Sequence, residues 1–362
     1  MQNVKIGAIE CIATLGCVAI IPSILTGPTF TVQTFGTGSL AHVIYIILIG
    51  ILLFSLFFGL FFKFKGKDFI DISEYAGGKF LKYFSGISAV FYLLLTTILA
   101  LSEFTENIRN IIFENAPTEY FYILFIIGML ISVLTGIRGI FRASTIIAPI
   151  IIISILFILF SLYSDIDITN FTPIFGNGIK EFFVTGSFRI EIFESLFLIL
   201  LMGPQIKNIK KATVGSFLLI SIATLIIAIL LFGIFPYPTS LENYFPLFEI
   251  ARLINLGRFI QRMESIYILI WLIAMYIYIS LGTSYAVQTF SKIFKLNYSK
   301  RIIPIFCIFV LIGSLFLESY IDILNIRRFL YEYVIPIQLF LYPLIVMIVA
   351  RFKAKKEAKW RN

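Results

Sequence analysis

The segment Ile21-Pro22-Ser23-Ile24-Leu25-Thr26-Gly27-Pro28 sets two prolines and a glycine at the end of an apolar run that begins near Ile6. Roughly 20 apolar residues in a helix cross a bilayer core of about 30 Å, so the run from Ile6 to Gly27 reads as a membrane span. Proline and glycine deny that span regular backbone hydrogen bonds at its far end. In hydrocarbon the freed N–H and C=O groups must find other partners, and a bound polar ligand can supply them. Proline and glycine are also frequent in ordinary membrane helices, so one break alone does not define a site.

The rest of the chain supports the membrane reading. Of its 362 residues, 59% are hydrophobic and only 14% charged, against about 25% charged in soluble domains. That balance excludes an ordinary soluble enzyme and any disordered or fibrous class. Ten long runs are nearly free of charge: Ile6 to Gly27, Leu40 to Phe62, Tyr83 to Ser102, Tyr120 to Ile137, Ala143 to Ser164, Ile190 to Ile206, Ala212 to Phe235, Ser265 to Ser291, Ile302 to Leu317 and Tyr333 to Ala350. Acids interrupt only the first, at Glu10, and the sixth, at Glu191 and Glu194. Lys5 before an apolar run resembles a signal peptide, but Glu10 interrupts it and no small-residue cleavage site follows, so the segment is expected to be retained.

The net charge of +9 is loop charge that sets orientation, not a footprint for nucleic acid. With the N-terminus in the cytoplasm, 21 of the 29 Lys and Arg fall on inside segments and 8 on outside ones. That bias places both ends inside and requires an even number of spans. Cys11, Cys17 and Cys307 lie in apolar runs without ligand spacing, so neither a disulfide framework nor a metal site is expected. His42 has no acid or cysteine cluster around it, and no catalytic triad, phosphate loop or paired-carboxylate motif occurs. Neither enzymatic chemistry nor a cofactor is expected.

Ten spans divide into five and five, and an odd number per half makes the second half enter the membrane in the opposite sense. Transporters built this way place their site where the first helices of both halves are interrupted. The sixth run matches the first in this respect: it is short, holds Glu194-Ser195 and ends in Gly203-Pro204. A half-helix N-terminus favours a carboxylate and freed carbonyls favour an ammonium, so a zwitterionic amino acid suits both. Pro22, Ser23, Thr26, Gly27, Glu194, Ser195, Gly203 and Pro204 are the candidate ligand-binding residues of the two breaks.

Three stretches, in order and spacing, resemble the endospore germination permease family, the B subunit of Ger-type nutrient receptors, within the amino acid–polyamine–organocation superfamily. They are Asn170 to Ile179; Phe193-Glu194-Ser195 with Gly203-Pro204 and Lys207, Lys210 and Lys211; and Pro246 to Ile254 followed by Phe259 to Ile266 and Trp271. Within the last, Arg262, Glu264 and Trp271 are the family-motif residues, expected to be structural. The chain departs from the family in having Leu15, Cys17 and Ala19 where glycine is usual before the first break. The resemblance implies an all-α polytopic membrane protein: ten transmembrane helices, a LeuT-like five-plus-five inverted repeat, helices one and six broken. It implies one permease-like domain over 1–362, with repeats at about 5–164 and 188–352 and a basic tail at 353–362. It also implies a multi-pass protein of the spore inner membrane that binds a small germinant, an amino acid foremost, and acts with A and C subunits. An ion-coupled amino acid transporter and a channel component stand as alternatives.

Glu194 is expected either to face a cavity or to pin the broken helix, because a mid-membrane acid needs a partner. Tyr92 and Thr96 share one helical face, as do Tyr276 and Ser280. The resemblance turns those faces toward the broken helices, as ligand contacts or as interhelical bonds. Residues 246–259 carry Leu247, Ile250, Leu253, Ile254 and Phe259 at helical spacing, an amphipathic helix for the interface or for a partner. The tail lysines serve as an anchor on anionic lipid or as a contact for an acidic domain.

Overall fold

A computed structural model describes residues 5–25, 27–113, 116–241, 246–255, 263–296, 300–317 and 319–359. Among these the chain is helical: α1 Ala8–Ile24, α2 Gly27–Phe35, α3 Ser39–Phe61, α4 Phe69–Ile112, α5 Thr118–Thr135, α6 Ile137–Leu162, α7 Phe197–Met202, α8 Ile209–Ile234, α9 Pro246–Leu253, α10 Met263–Ile293, α11 Ile302–Leu315, α12 Tyr320–Phe329 and α13 Tyr342–Lys359. Seven helical stretches are long and apolar enough to cross a membrane, and Ala8–Pro22 and Ile302–Leu315 are shorter apolar helices. The sixth run is the exception, since only its α7 portion is α-helical. Cys11, Cys17 and Cys307 are buried and free.

α1 is the central element, packed against α6, α8 and α10, while α4 and α10 form the longest helix pair. Glu10 caps α1, its Oε2 accepting the Gly7 N–H at 2.7 Å. Just before that cap, Ile6 and Ile206 form a bridge of parallel strand type. Ile6 donates to the Gln205 carbonyl, and Lys207 donates to the Ile6 carbonyl, both at 2.8 Å. At the same end, which the charge rule assigns to the cytoplasm, Lys292 pairs with Asp68 and Asp71, each at 2.5 Å. Gln205 also donates to Gln288 at 3.2 Å.

Two helices run further than hydropathy suggests. α4 continues past Ser102 to Ile112, carrying Glu103, Glu106 and Asn107 into the interior, at 0%, 3% and 1% exposure. The last span begins at Tyr320 rather than near Tyr333, and passes through two wide π-type segments, Leu330–Val334 and Pro336–Leu341, before α13. Arg327, which the orientation rule treats as loop charge, is therefore buried at 2% exposure.

The other helix expected at a surface is also turned inward. α9 buries Leu247, Ile250 and Ala251 against the bundle's own α6, α8 and α10. Leu247, Ile250 and Ile254 of its apolar face are thus buried within the chain, while Leu253 is exposed. Phe259 lies outside the described residues. His42 likewise leaves the interface: its ring stacks on Phe35 at 3.7 Å, and Nε2 lies 3.2 Å from the Gly186 carbonyl oxygen.

At the opposite end, the loop after α6 packs on the end of α2 and the turn that follows it. Thr37 donates to the Pro173 carbonyl at 2.8 Å, and Asn177 donates to the carbonyls of Gln33 and Thr34. Gly176 makes that approach possible, with φ of +47° and a hydrogen placed where a Cβ would meet the Phe35 carbonyl oxygen. Gly176→Ala is expected to lose about 1–3 kcal/mol of stability. Gly59→Ala, in open space on α3, should be neutral or stabilising. Thermal unfolding of the two variants in detergent checks the contrast.

Candidate functional site

The first break lies where the proline and glycine place it: α1 ends at Ile24, α2 begins at Gly27, and Leu25 between them has left helical backbone angles. Thr26 lies outside the described residues, as does the side chain of Ser23. The second break is displaced. Residues Glu191–Leu196 form a tight 3-10 segment ahead of α7, while Gly203–Gln205 form a short turn at the far, basic end. Gly203 packs there beside Phe61, and Pro204 is exposed. Neither residue borders the cavity; Gly203-Pro204 terminates the span, and the interruption sits at Glu191–Leu196 instead.

Around the two breaks lies a cavity walled by α1, α4, the 190s segment and α10, with Pro22, Tyr92, Thr96, Glu194 and Ser195 among its lining. A second opening toward the loop end shares Pro22 and Glu191 and adds Gly27, Thr31 and Tyr331. The Tyr92 hydroxyl donates to Glu194 Oε1 at 2.6 Å, and the Tyr92 ring meets Phe197 edge-on at 6.0 Å. Thr96 Oγ1 donates to the Leu93 carbonyl at 3.2 Å. Ser195 Oγ is buried with no hydrogen-bond partner among the described residues. Tyr92 and Thr96 thus both border the cavity from α4.

On α10 the phase differs. The cavity takes Tyr278, Leu281 and Gly282, whereas Tyr276 points at α5, donating to the Leu124 carbonyl at 3.3 Å and packing on Phe125. Ser280 is buried but does not line the cavity. Two tyrosines separated by one residue point to different faces of a helix. Gly282 permits close packing, since a Cβ there would stand 2.5 Å from Thr97 Oγ1. Arg262 lies outside the described residues, Glu264 is half-buried in the first turn of α10, and Trp271 is buried edge-on against Phe104 at 4.6 Å.

Two buried ion pairs brace the cavity. Arg189 binds Glu191 at 2.8 Å and also donates to Thr34 Oγ1 of α2 at 3.2 Å. Arg327 binds Glu103 at 2.5 Å and donates to the Tyr331 hydroxyl at 3.3 Å. The Tyr331 ring meets Phe30 of α2 edge-on at 6.0 Å. Arg328 also bonds Gln33 and covers the Phe30 ring. The α2 half of the first span is therefore held from the last span and from the 190s segment. By contrast, no basic side chain among the described residues lies within ion-pair distance of Glu194. Glu194 is half-buried as a residue and lines the cavity. Such a site suits a cation or ammonium group with a compact apolar remainder.

Comparison with known proteins accords with this geometry. The fold matches that of Mhp1, a nucleobase-cation-symport-1 family transporter solved in a closed conformation with bromovinylhydantoin bound, at a TM-score of 0.61 and 12% identity. The match covers 98% of this chain and 94% of the transporter. In sequence the chain is 24% identical over 323 residues to spore germination protein KB of Bacillus subtilis (strain 168), covering 86% of each. It is 26% identical over 209 residues to spore germination protein XB of Bacillus anthracis, covering 56% of this chain and 58% of that relative. The model of the spore germination protein family, of permease type, spans residues 12–321. With that span inside a multi-pass transporter-type fold, the chain belongs to the spore germination protein family.

Proposed function

We propose that this chain is the permease-like subunit of a nutrient germinant receptor, which binds a small germinant, an amino acid foremost, between its interrupted helices. The observation that carries the reading is Glu194, an acid facing the cavity with Tyr92 as its hydrogen-bond donor and no cationic partner among the described residues. An ammonium group supplies the missing charge. The opening beside α2 is bordered by the first residues of that helix, Gly27 and Pro28, and the positive end of the helix dipole favours the carboxylate of the same ligand. Ten spans in two inverted repeats of about 5–164 and 188–352, within one domain and with both ends cytoplasmic, accommodate this site. In the spore inner membrane, binding signals through A and C subunits by favouring one state of the bundle over another.

A thermal-shift screen of the purified protein against amino acids, nucleosides and sugars tests the reading, because a ligand that binds only the native state raises its melting temperature. Stabilisation by amino acids supports it; none, or stabilisation by sugars alone, counts against it. Gly282→Ala, which presses on Thr97 at the cavity wall, should weaken that ligand about tenfold in the same assay.

The alternative, an ion-coupled amino acid transporter, draws support from the same Glu194, which can carry a proton across the cavity. Uptake into proteoliposomes separates the two. Accumulation driven by an ion gradient favours transport, whereas saturable binding without flux favours sensing.

A further inference from the structure

The loop after α6 carries an apolar surface that the bundle does not cover. From Ile179 to Phe188 it is helical, passing through a wide π-type turn at Glu181–Thr185 and a tight one at Gly186–Phe188. Phe182 and Gly186 are its buried side. The Phe182 ring meets Phe35 of α2 and His42 of α3 edge-on, at 6.4 and 6.1 Å, and a Cβ on Gly186 would stand 2.9 Å from the His42 ring. Ile179, Phe183, Val184 and Phe188 are exposed, as are Ile174 and Phe175 just before them. Single exposed apolar residues are ordinary, but a continuous group of them marks a surface that something other than water covers. This group is continuous: the Phe183 ring lies 5.8 Å from Phe175 and 5.3 Å from Tyr45 of α3.

Tyr45 fixes where this surface lies. Its hydroxyl is 2.9 Å from Ser187 Oγ, and because Ser187 donates its own proton to the Phe183 carbonyl at 2.6 Å, Tyr45 is the donor of that bond. Tyr45 stands six residues into α3, about 9 Å from the end of that helix. It shares a face with Leu48 and Leu52, three and seven residues on, both exposed. That face belongs to an apolar span and so meets acyl chains. The exposed side chains of the loop continue the same flank toward its end, at the depth of about 5–10 Å where interfacial helices lie. Lys180 and Glu181, the charged residues of the short helix, are both exposed, and a lysine stem lets its ammonium reach the headgroups.

We propose that residues 174–188 are an interfacial anchor, an element outside the membrane-spanning helices that inserts Ile179, Phe183 and Val184 into the leaflet opposite the basic end. Its partner is the lipid surface. The same loop grips the first break from outside: Asn177 donates to the Thr34 carbonyl at 3.1 Å, and Arg189 donates to Thr34 Oγ1 at 3.2 Å. The end of α2 is thereby tied to the bilayer, and lipid packing bears on the interrupted span through it.

Cys11, Cys17 and Cys307 are buried, so the full-length chain in phosphatidylcholine vesicles takes a nitroxide label at single introduced cysteines: Ile179→Cys, Val184→Cys and, on the charged side, Glu181→Cys. Collision of each label with dissolved oxygen, which concentrates among acyl chains, is compared with collision with a neutral nickel chelate, which stays in water. The ratio of oxygen to nickel access should be at least about fivefold higher at Ile179 and Val184 than at Glu181. Nickel reaching Ile179 and Val184 as freely as Glu181 would place the face in water, as a surface for a soluble partner, and overturn the proposal. Poor access of both reagents to Ile179 and Val184 would mean that protein covers the face, such as a second copy of this chain, and would overturn it as well. A phosphatidylcholine with a diazirine near the ester end of its acyl chain tests the unsubstituted protein. Cross-links to the 174–188 peptide are expected beside those to the exposed flank of α3, whereas cross-links to α3 alone would sink the idea. The cross-linking needs no substitution, so it decides even if a labelled variant misfolds.

Discussion

Glu103→Gln is expected to cost about 3–5 kcal/mol of stability, seen as a large fall in melting temperature of the purified protein. The loss arises because Arg327, buried at 2% exposure, keeps its charge while its carboxylate partner disappears. The Tyr331 hydroxyl, 3.3 Å from Arg327, cannot replace a full negative charge. Arg327→Met should also be damaging, since it takes the guanidinium from its 2.5 Å pairing with the buried Glu103 carboxylate. The double variant Glu103→Leu with Arg327→Met should recover most of the loss, because exchanging a buried pair for apolar residues is often neutral or stabilising. If each single variant melts within a degree of the parent, the pair is not a brace between α4 and the last span. The double variant also separates stability from signalling: a protein that folds but no longer responds to ligand would show that the charges position α2.

Glu194→Gln should act in the opposite way. Stability should hold or rise, because a half-buried acid with no ion-pair contact among the described residues loses its charge, while affinity for an ammonium ligand falls by about 30-fold or more. Tyr92→Phe deletes only the donor 2.6 Å from Glu194 and should weaken the same ligand about tenfold. Binding measured by isothermal titration on protein of matched melting temperature distinguishes this from misfolding. Equal loss of stability and affinity in Glu194→Gln would assign the residue to the architecture of the interrupted helix. Unchanged affinity in both variants would remove the ammonium from that cavity.

The helical membrane class was legible in the sequence because hydropathy is a local property: α3, α8, α10 and α11 begin and end within three residues of the apolar runs that announce them. The first break was legible for the same reason, since Pro22 and Gly27 carry their effect with them. The break beside Glu191–Leu196 contains neither proline nor glycine. It is imposed by what surrounds it, including the Arg189 to Glu191 pair and its bond to Thr34. Glu103 and Arg327 were misread as residues beyond the span ends because each charge, taken singly, is too costly for a membrane interior. Their mutual neutralisation is visible only when helices distant in sequence are brought side by side. Tyr276 makes the interhelical bond of its two expected readings, and Tyr278 borders the cavity instead; a helix buried on most sides offers no polar stripe from which its rotation can be read.

The bridge between Ile6 and Ile206 has a consequence for biosynthesis. The ribosome delivers about 5–20 residues per second, so the partner strand emerges on the order of ten seconds or more after Ile6. Until then the first span must stay in the membrane without its closing hydrogen bonds, and the basic end of the bundle cannot shut. Completion of the sixth segment is therefore a checkpoint: Ile6 gains these two hydrogen bonds from Gln205 and Lys207, residues made in the second half of synthesis.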